Sequence, residues 1–226
     1  MSARARHFLH TRSRRGPWIS GAGFGSEQVA RFQERYGGLT YPVLGGNDME
    51  YGVDGDPSFH DTPLGPAFLG ILDGDWTWSL SVLTDGSTAM GPGSWPYRVI
   101  DRSVEQRIER HALVVEVRGR PHRTFECRTP PGVQPIVEDS MLPPAAPEAS
   151  GPAELWWSGD DVAVQATLSA WPPGGDSWTI RYFARHPMRV TAANDTVRAA
   201  VFHETVPAVW CSLCSRDVAP GATCMR

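Results

Sequence analysis

The sequence contains no lysine; all 21 of its Lys and Arg positions are arginine. With abundant Ala, 23 Gly and 20 Pro, this is the composition of a chain encoded by a GC-rich genome, and it bears on source, not on function. Cysteine is scarce as well. There are four, Cys127, Cys211, Cys214 and Cys224, and three of them crowd into the tail, which favours free thiols or a metal site over a disulfide framework. No run approaches the roughly 18 consecutive apolar residues of a membrane-spanning helix, so no membrane association is expected. The Arg-bearing arm over residues 1–15 is followed by no apolar run, which argues against a secretory signal and for a cytoplasmic location. A net charge of −4 lacks the positive excess that general nucleic-acid binding needs. Also missing are G-x-S-x-G, a P-loop, G-x-G-x-x-G and H-E-x-x-H, so no enzymatic reaction is expected. The pairs His60-Asp61 and Asp160-Asp161 fall in predicted loops, where solvated acids are far commoner than acid–base pairs.

What is present supports a folded chain. Hydrophobic residues make up 41% and charged residues 20% of the 226, enough for a packed core in one large domain or two small ones. Nine Trp supply large aromatic surface for a core or an interface. Charge is unevenly placed. Residues 1–35 hold seven Arg against Glu27 and Glu34, whereas residues 36–97 hold eight carboxylates and no Arg. Like charges gathered in one segment repel, so this acidic block is a candidate binding surface.

Local patterns predict a helix over 27–36, with Ser26 as N-cap, an apolar stripe of Val29, Phe32 and Tyr36, and Gly37-Gly38 as terminator. Strands are predicted at 66–72 and 76–84, the second alternating apolar and polar residues and turning at Asp85-Gly86, where both positions must accept positive φ. Ser103 and Gln106 form a capping-box pattern for a second helix whose stripe is Val104, Ile108, Ala112 and Val115, ending at Gly119. Seven prolines mark residues 128–152 as an exposed linker. Beyond it, 162–171, 177–184 and 196–203 read as an antiparallel meander. Trp156 and Trp157 are adjacent on a strand and point to opposite faces, so at most one is expected in the core.

The order of these elements, with Phe32-x-x-x-Tyr36-Gly37-Gly38-Leu39, the Tyr41-Pro42 segment, the Asp85-Gly86 turn and the late helix at Arg102-Ser103-Val104-Glu105, resembles the SUKH superfamily of bacterial immunity proteins over about residues 16–118. The resemblance implies an α+β fold and a protein that neutralises a cognate polymorphic toxin, such as a nuclease or deaminase, by binding it. The expected organisation is an Arg-rich arm (1–15), a SUKH-like domain with a mixed or antiparallel sheet and flanking helices (16–127), the linker (128–152), a smaller β-rich region (153–208) and a Cys-containing tail (209–226).

Two sites are expected. The loop from Asn47 to Asp61 carries Asp48, Glu50, Asp54 and Asp56 around Tyr51; the acids would steer a basic toxin surface and the ring would anchor it. In the tail, Cys211-x-x-Cys214 with Cys224 offers three thiolates to one Zn²⁺, with His203, Asp217 or Cys127 as fourth ligand; idle reduced thiols and a redox pair are the other readings. A zinc-stabilised adaptor and an enzyme of another kind remain as alternative functions, and oligomeric state stays open.

Overall fold

The computed structural model describes residues 1–16, 26–42, 50–53, 59–72, 79–91, 97–127, 143–169, 177–187, 209–211 and 216–218. Among the described residues the protein is mixed α+β, with three helices and three antiparallel sheets. It forms two compact units: Met1–Glu116 with Gly151–Ala153, and Val117–Ser150 with Glu154–Arg226.

Unit 1 is built on an eight-stranded sheet of β1 (Arg14–Arg15), β2 (Leu39–Pro42), β3 (Glu50–Val53), β4 (Phe59–Thr62), β5 (Gly65–Leu72), β6 (Ser79–Leu83), β7 (Thr88–Met90) and β8 (Arg98–Asp101). The strand order is β1-β2-β3-β5-β6-β7-β8, with β4 also pairing β5. A register shift between Leu69 and Ile71 interrupts the alternation of β5. Phe68 stands opposite Val82, Val82 opposite Thr88, and Thr88 opposite Asp101, so these four share one face. That face meets the helices α2 (Glu27–Tyr36) and α3 (Val104–Val117). Phe32 meets Phe68 edge-on at 5.1 Å, and Arg107 reaches Asp101. The arm expected over 1–15 is instead ordered as α1 (Ala3–Arg12) and β1. Ser2 caps α1 by accepting from the Ala5 N–H, and Phe8 packs on Tyr41 at 5.3 Å.

The helix ends follow from their sequences with two differences. Ser26 occupies the N-cap of α2, but its hydroxyl makes no capping bond; its carbonyl accepts from the Ala30 N–H. Of the two glycines, Gly38 takes the left-handed conformation (φ 69°). Arg15 completes this end of α2, donating from Nε to the Gly37 carbonyl and from Nη2 to the Glu34 carbonyl. The capping pattern of α3 forms with one displacement: the Gln106 N–H donates to Ser103 Oγ, while the Gln106 side chain reaches one residue past the N-cap and accepts from the Arg102 N–H at 2.7 Å.

Unit 2 contains a four-stranded antiparallel sheet, β10-β11-β12-β9, from β9 (His122–Cys127), β10 (Glu154–Ser158), β11 (Val162–Ser169) and β12 (Ser177–Ala184). So β9, placed by the sequence in the first domain, pairs with β12. One face carries Trp157, Val164, Trp178, Ile180 and Tyr182 as a hydrophobic core. The other carries Trp156, also buried, which corrects the expectation that one of the two Trp would be outside. Trp156 is accommodated because its Nε1 donates to the buried Glu154 at 2.6 Å, Gln165 donates to the same oxygen, and its ring stacks on Phe183. The linker expectation also changes. Residues 143–150 lie against β10, with Ala146 N–H donating to the Trp156 carbonyl and Ser158 N–H to the Pro144 carbonyl, and Ala149 is buried. A two-stranded sheet joins β13 (Val209–Cys211) and β14 (Arg216–Val218). The predicted strand at 196–203 lies outside the described residues.

Candidate functional site

A cleft of about 300 Å³ opens in unit 1 between α2, the β6–β7 turn and the start of α3. Its floor is apolar: Phe32, Tyr36, Phe68, Val82 and Val104. Helical spacing puts Phe32 and Tyr36 on the buried stripe of α2, with their rings 5.2 Å apart. The same spacing puts Gln28, Arg31 and Arg35 along the adjacent edge, where they form one wall. Gln28 ties this wall to the turn by donating to the carbonyls of Leu83 and Thr84. The opposite rim is Asp85, Gly86, Ser103 and Glu105.

The charges on the rim are mostly compensated. Arg31 pairs with Glu27 one helical turn earlier, and Arg35 pairs with Glu105 at 2.6 Å while lying over the Tyr36 ring. The Tyr36 phenol donates to Glu105. Burial first, then that bond and the charge of Glu105, hold the phenol far above its ordinary range, so it stays protonated. Burial pushes Glu105 upward, but the bond from Tyr36 and the charge of Arg35 outweigh it, and Glu105 stays ionised. Asp85 is set by the turn. The Ser87 hydroxyl and N–H donate to its Oδ1 at 2.6 and 2.9 Å, which lowers its pKa. The turn itself is longer than the two-residue hairpin predicted. The Gly86 N–H donates to the Leu83 carbonyl, the Leu83 N–H donates to the Ser87 carbonyl, and Gly86 has φ 86°. This is the three-residue loop with one left-handed position. No atom lies within 4 Å of a Cβ added at Gly86, so Gly86→Ala should cost only backbone strain, about 1–2 kcal/mol. Gly86→Asn, which tolerates this region, should cost less. Urea midpoints of the two variants check this, and equal losses would show that the loop is not held by its φ.

Behind the cleft, α3 carries a buried polar network. Asp101 is fully buried and accepts from Thr88 at 2.6 Å and from Arg107 at 3.0 Å; Arg110 Nε approaches it at 3.1 Å without hydrogen-bond alignment. Burial raises the Asp101 pKa, but the charges of Arg110 and Arg107 and the Thr88 bond bring it below the ordinary value. His111 is buried beside Tyr41, ring nitrogen to phenol 3.0 Å, and burial together with the two guanidiniums keeps it neutral. Glu109, also buried, accepts from the backbone N–H and hydroxyl of Ser2.

The residues proposed from sequence fall elsewhere. Asp48, Asp54 and Asp56 lie outside the described residues. Glu50 and Tyr51 belong to β3, where they stand opposite Pro42 and Tyr41, so the segment from Asn47 to Asp61 is not one loop: it includes β3 and most of β4. Cys211 ends β13, opposite Arg216, while Cys214 and Cys224 lie outside the described residues. Among the described residues, no group of three or more His, Cys, Asp or Glu is placed to hold a metal ion. No described helix is long and apolar enough to cross a membrane. Phe68, Val82 and the Arg31/Arg35 wall were not anticipated as a site; the one available signal was a pair of arginines spaced i, i+4 beside the aromatic stripe. No protein-family model, no curated protein and no solved structure matches the chain.

Proposed function

We propose that this protein is a SUKH-type immunity protein that neutralises a cognate toxin by stoichiometric binding, with the unit 1 cleft as a contact. The observation that supports this most is a convergence. Three of the four stretches on which the family resemblance rests, Phe32–Leu39, Asp85-Gly86 and Arg102–Glu105, are far apart in sequence yet contribute residues to the cleft; the fourth, Tyr41-Pro42, does not line it. An aromatic floor inside a polar rim is the anatomy of a protein-binding hot spot. Tyr36 is committed to Glu105, and Glu105 to Arg35. Such a pair favours recognition over proton transfer. The acidic block over 36–97, with Asp48, Glu50, Tyr51, Asp54 and Asp56, supplies steering toward a basic toxin surface.

The test is to read the genes that flank this one and to co-express the protein with a toxin domain that they encode; flanking genes that encode none count against the proposal. The two chains are expected to co-purify at one to one, and growth is expected to be restored. Replacing Asp48, Glu50 and Asp54 with their amides should slow association and flatten its salt dependence, leaving thermal stability nearly unchanged. Failure to form a complex overturns the proposal; an association rate indifferent to the amides removes the acidic block from it.

A further inference from the structure

We propose that β4 is a docking edge for an extended segment of a partner protein, which adds to it antiparallel and sets a basic residue opposite Asp61 and an apolar one opposite Phe59. This surface is separate from the cleft and does not rest on the immunity reading. Among the described residues, β4 pairs with β5 alone. The register sets Asp61 opposite Pro66, which has no N–H, so the bonds between the two strands fall on His60–Ala67 and Thr62–Gly65. The backbone N–H and C=O of Phe59 and Asp61 therefore point away from β5, and no described residue bonds them. Residues 59–61 are exposed, and neither a bulge nor a proline blunts the strand. His60 holds β4 in place through Ser81 Oγ at 3.1 Å. The edge of β10 shows the contrast. There the Trp156 N–H donates to Ser150 Oγ, its carbonyl accepts from the Ala146 N–H, and the Ser158 N–H donates to the Pro144 carbonyl, so a segment of the chain itself occupies the edge.

The side chains beside the open groups set what pairs with them. Alternation puts Phe59 and Asp61 on one face of the strand. Phe59 is 40% exposed, and Leu64 in the turn that follows is 46% exposed; with Met1 they are the large hydrophobic residues left exposed among the described ones. Asp61 forms no ion pair with a described residue. In antiparallel pairing, the partner residue opposite Asp61 comes two positions before the one opposite Phe59. A segment reading Arg-x-aromatic thus meets the carboxylate with a cation and the ring with apolar surface, the cross-strand pairs that stabilise a sheet. Its backbone supplies the acceptors and donors that the open N–H and C=O groups need. A second copy of this chain fits worse. A two-fold antiparallel pair sets Asp61 against Asp61, against Phe59, or against Pro57, which has no N–H.

The experiment titrates the full-length protein with acetyl-Thr-Val-Arg-Thr-Tyr-Thr-Val-amide, following backbone amides by NMR. One control peptide is N-methylated at its Arg and Tyr, and the other has Glu in place of Arg. Saturable shifts are expected at Phe59 and Asp61. Their amides should exchange more slowly with peptide bound, whereas those of His60 and Thr62, already bonded to β5, should not change. N-methylation should weaken binding by about tenfold, since it removes two backbone donors. Glu for Arg should weaken it by about threefold, and Asp61→Arg should reverse that preference. No saturable shift on β4, equal binding of the N-methylated peptide, or unprotected amides at Phe59 and Asp61 each overturn the docking edge. Equal binding of the Arg and Glu peptides overturns the basic partner. A dimer of the protein alone in sedimentation, dissociated by Phe59→Thr, would make a second copy the occupant and overturn the assignment.

Discussion

Asp101→Ala is expected to lower the stability of unit 1 by about 3–5 kcal/mol, because it leaves two buried guanidiniums without the carboxylate they share. The Asp101 side chain is fully buried and that of Arg107 is 5% exposed, so water cannot replace the lost charge. Thr88 would lose its acceptor as well. A domain of this size holds only about 5–15 kcal/mol in total, so the variant should be near unfolding at room temperature. Asp101→Asn should be intermediate, since the amide oxygen still accepts from Thr88 but carries no charge. Replacing Asp101, Arg107 and Arg110 together with Leu or Met should recover much of the loss, because an apolar group of similar volume avoids the desolvation penalty. Urea unfolding followed by far-UV circular dichroism gives all three values. A loss under about 1 kcal/mol in Asp101→Ala would show that the network is not a stabilising unit.

Acidification is expected to destabilise the same region in two steps. His111 is neutral in the folded protein, held well below its ordinary value of 6.5 by burial and by Arg107 and Arg110. The unfolded chain takes up that proton near pH 6.5, so below this pH the unfolded state binds more protons and stability falls, by at most about 1.4 kcal/mol per pH unit for one group. Asp101 acts in the same direction at lower pH. Its folded pKa lies below 3.8, so its contribution is complete above that value and is lost as pH falls through the folded pKa. The groups facing His111 include Tyr41, which bonds it, and the two arginines that repel its charged form. His111→Gln keeps a partner for the Tyr41 hydroxyl and cannot be protonated. Its stability should be flat between pH 6.5 and 5, where the parent slopes downward. A slope that survives the substitution would assign the first step to another group.

The elements legible in the sequence were those whose signal is local. The helix at 27–36 has a stripe, a stop and a preceding Ser; α3 has its capping box; β12 alternates cleanly and falls on the residues predicted, 177–184. Helix α1 was missed because only Ala5 and Phe8 are buried in it, too few to make a period stand out among its arginines. Strands β3 and β4 are four residues each, in a stretch rich in Gly and Asp, and they depend on neighbours more than on propensity. The buried polar face of α3 was illegible for a related reason. A stripe of Val104, Ile108 and Ala112 implies one covered side, whereas Gln106, Arg107, Glu109, Arg110 and His111 are buried too. Their burial is tolerable through partners such as Asp101, Ser2 and Tyr41, none of them within the helix. The cleft shares this character: Phe32, Phe68, Asp85 and Val104 are each ordinary where they stand, and only the tertiary fold brings them together.

The chain leaves unit 1 after Glu116, contributes to unit 2 as far as Ser150, and then returns to unit 1 for Gly151–Ala153 before going back. Gly151 lies so close to the Gln106 carboxamide that an added Cβ there would overlap it, and Gln106 is the residue that closes the capping pattern of α3. Vectorial synthesis therefore cannot finish the first unit when its last long helix emerges; the helix must wait, partly uncovered, for a short piece of chain delivered some thirty-five residues later. No single scission yields two complete halves, wherever it falls. A split-gene version of this protein has to divide it so that residues 151–153 travel with the N-terminal fragment, and that fragment then carries the first strand of the other unit with it.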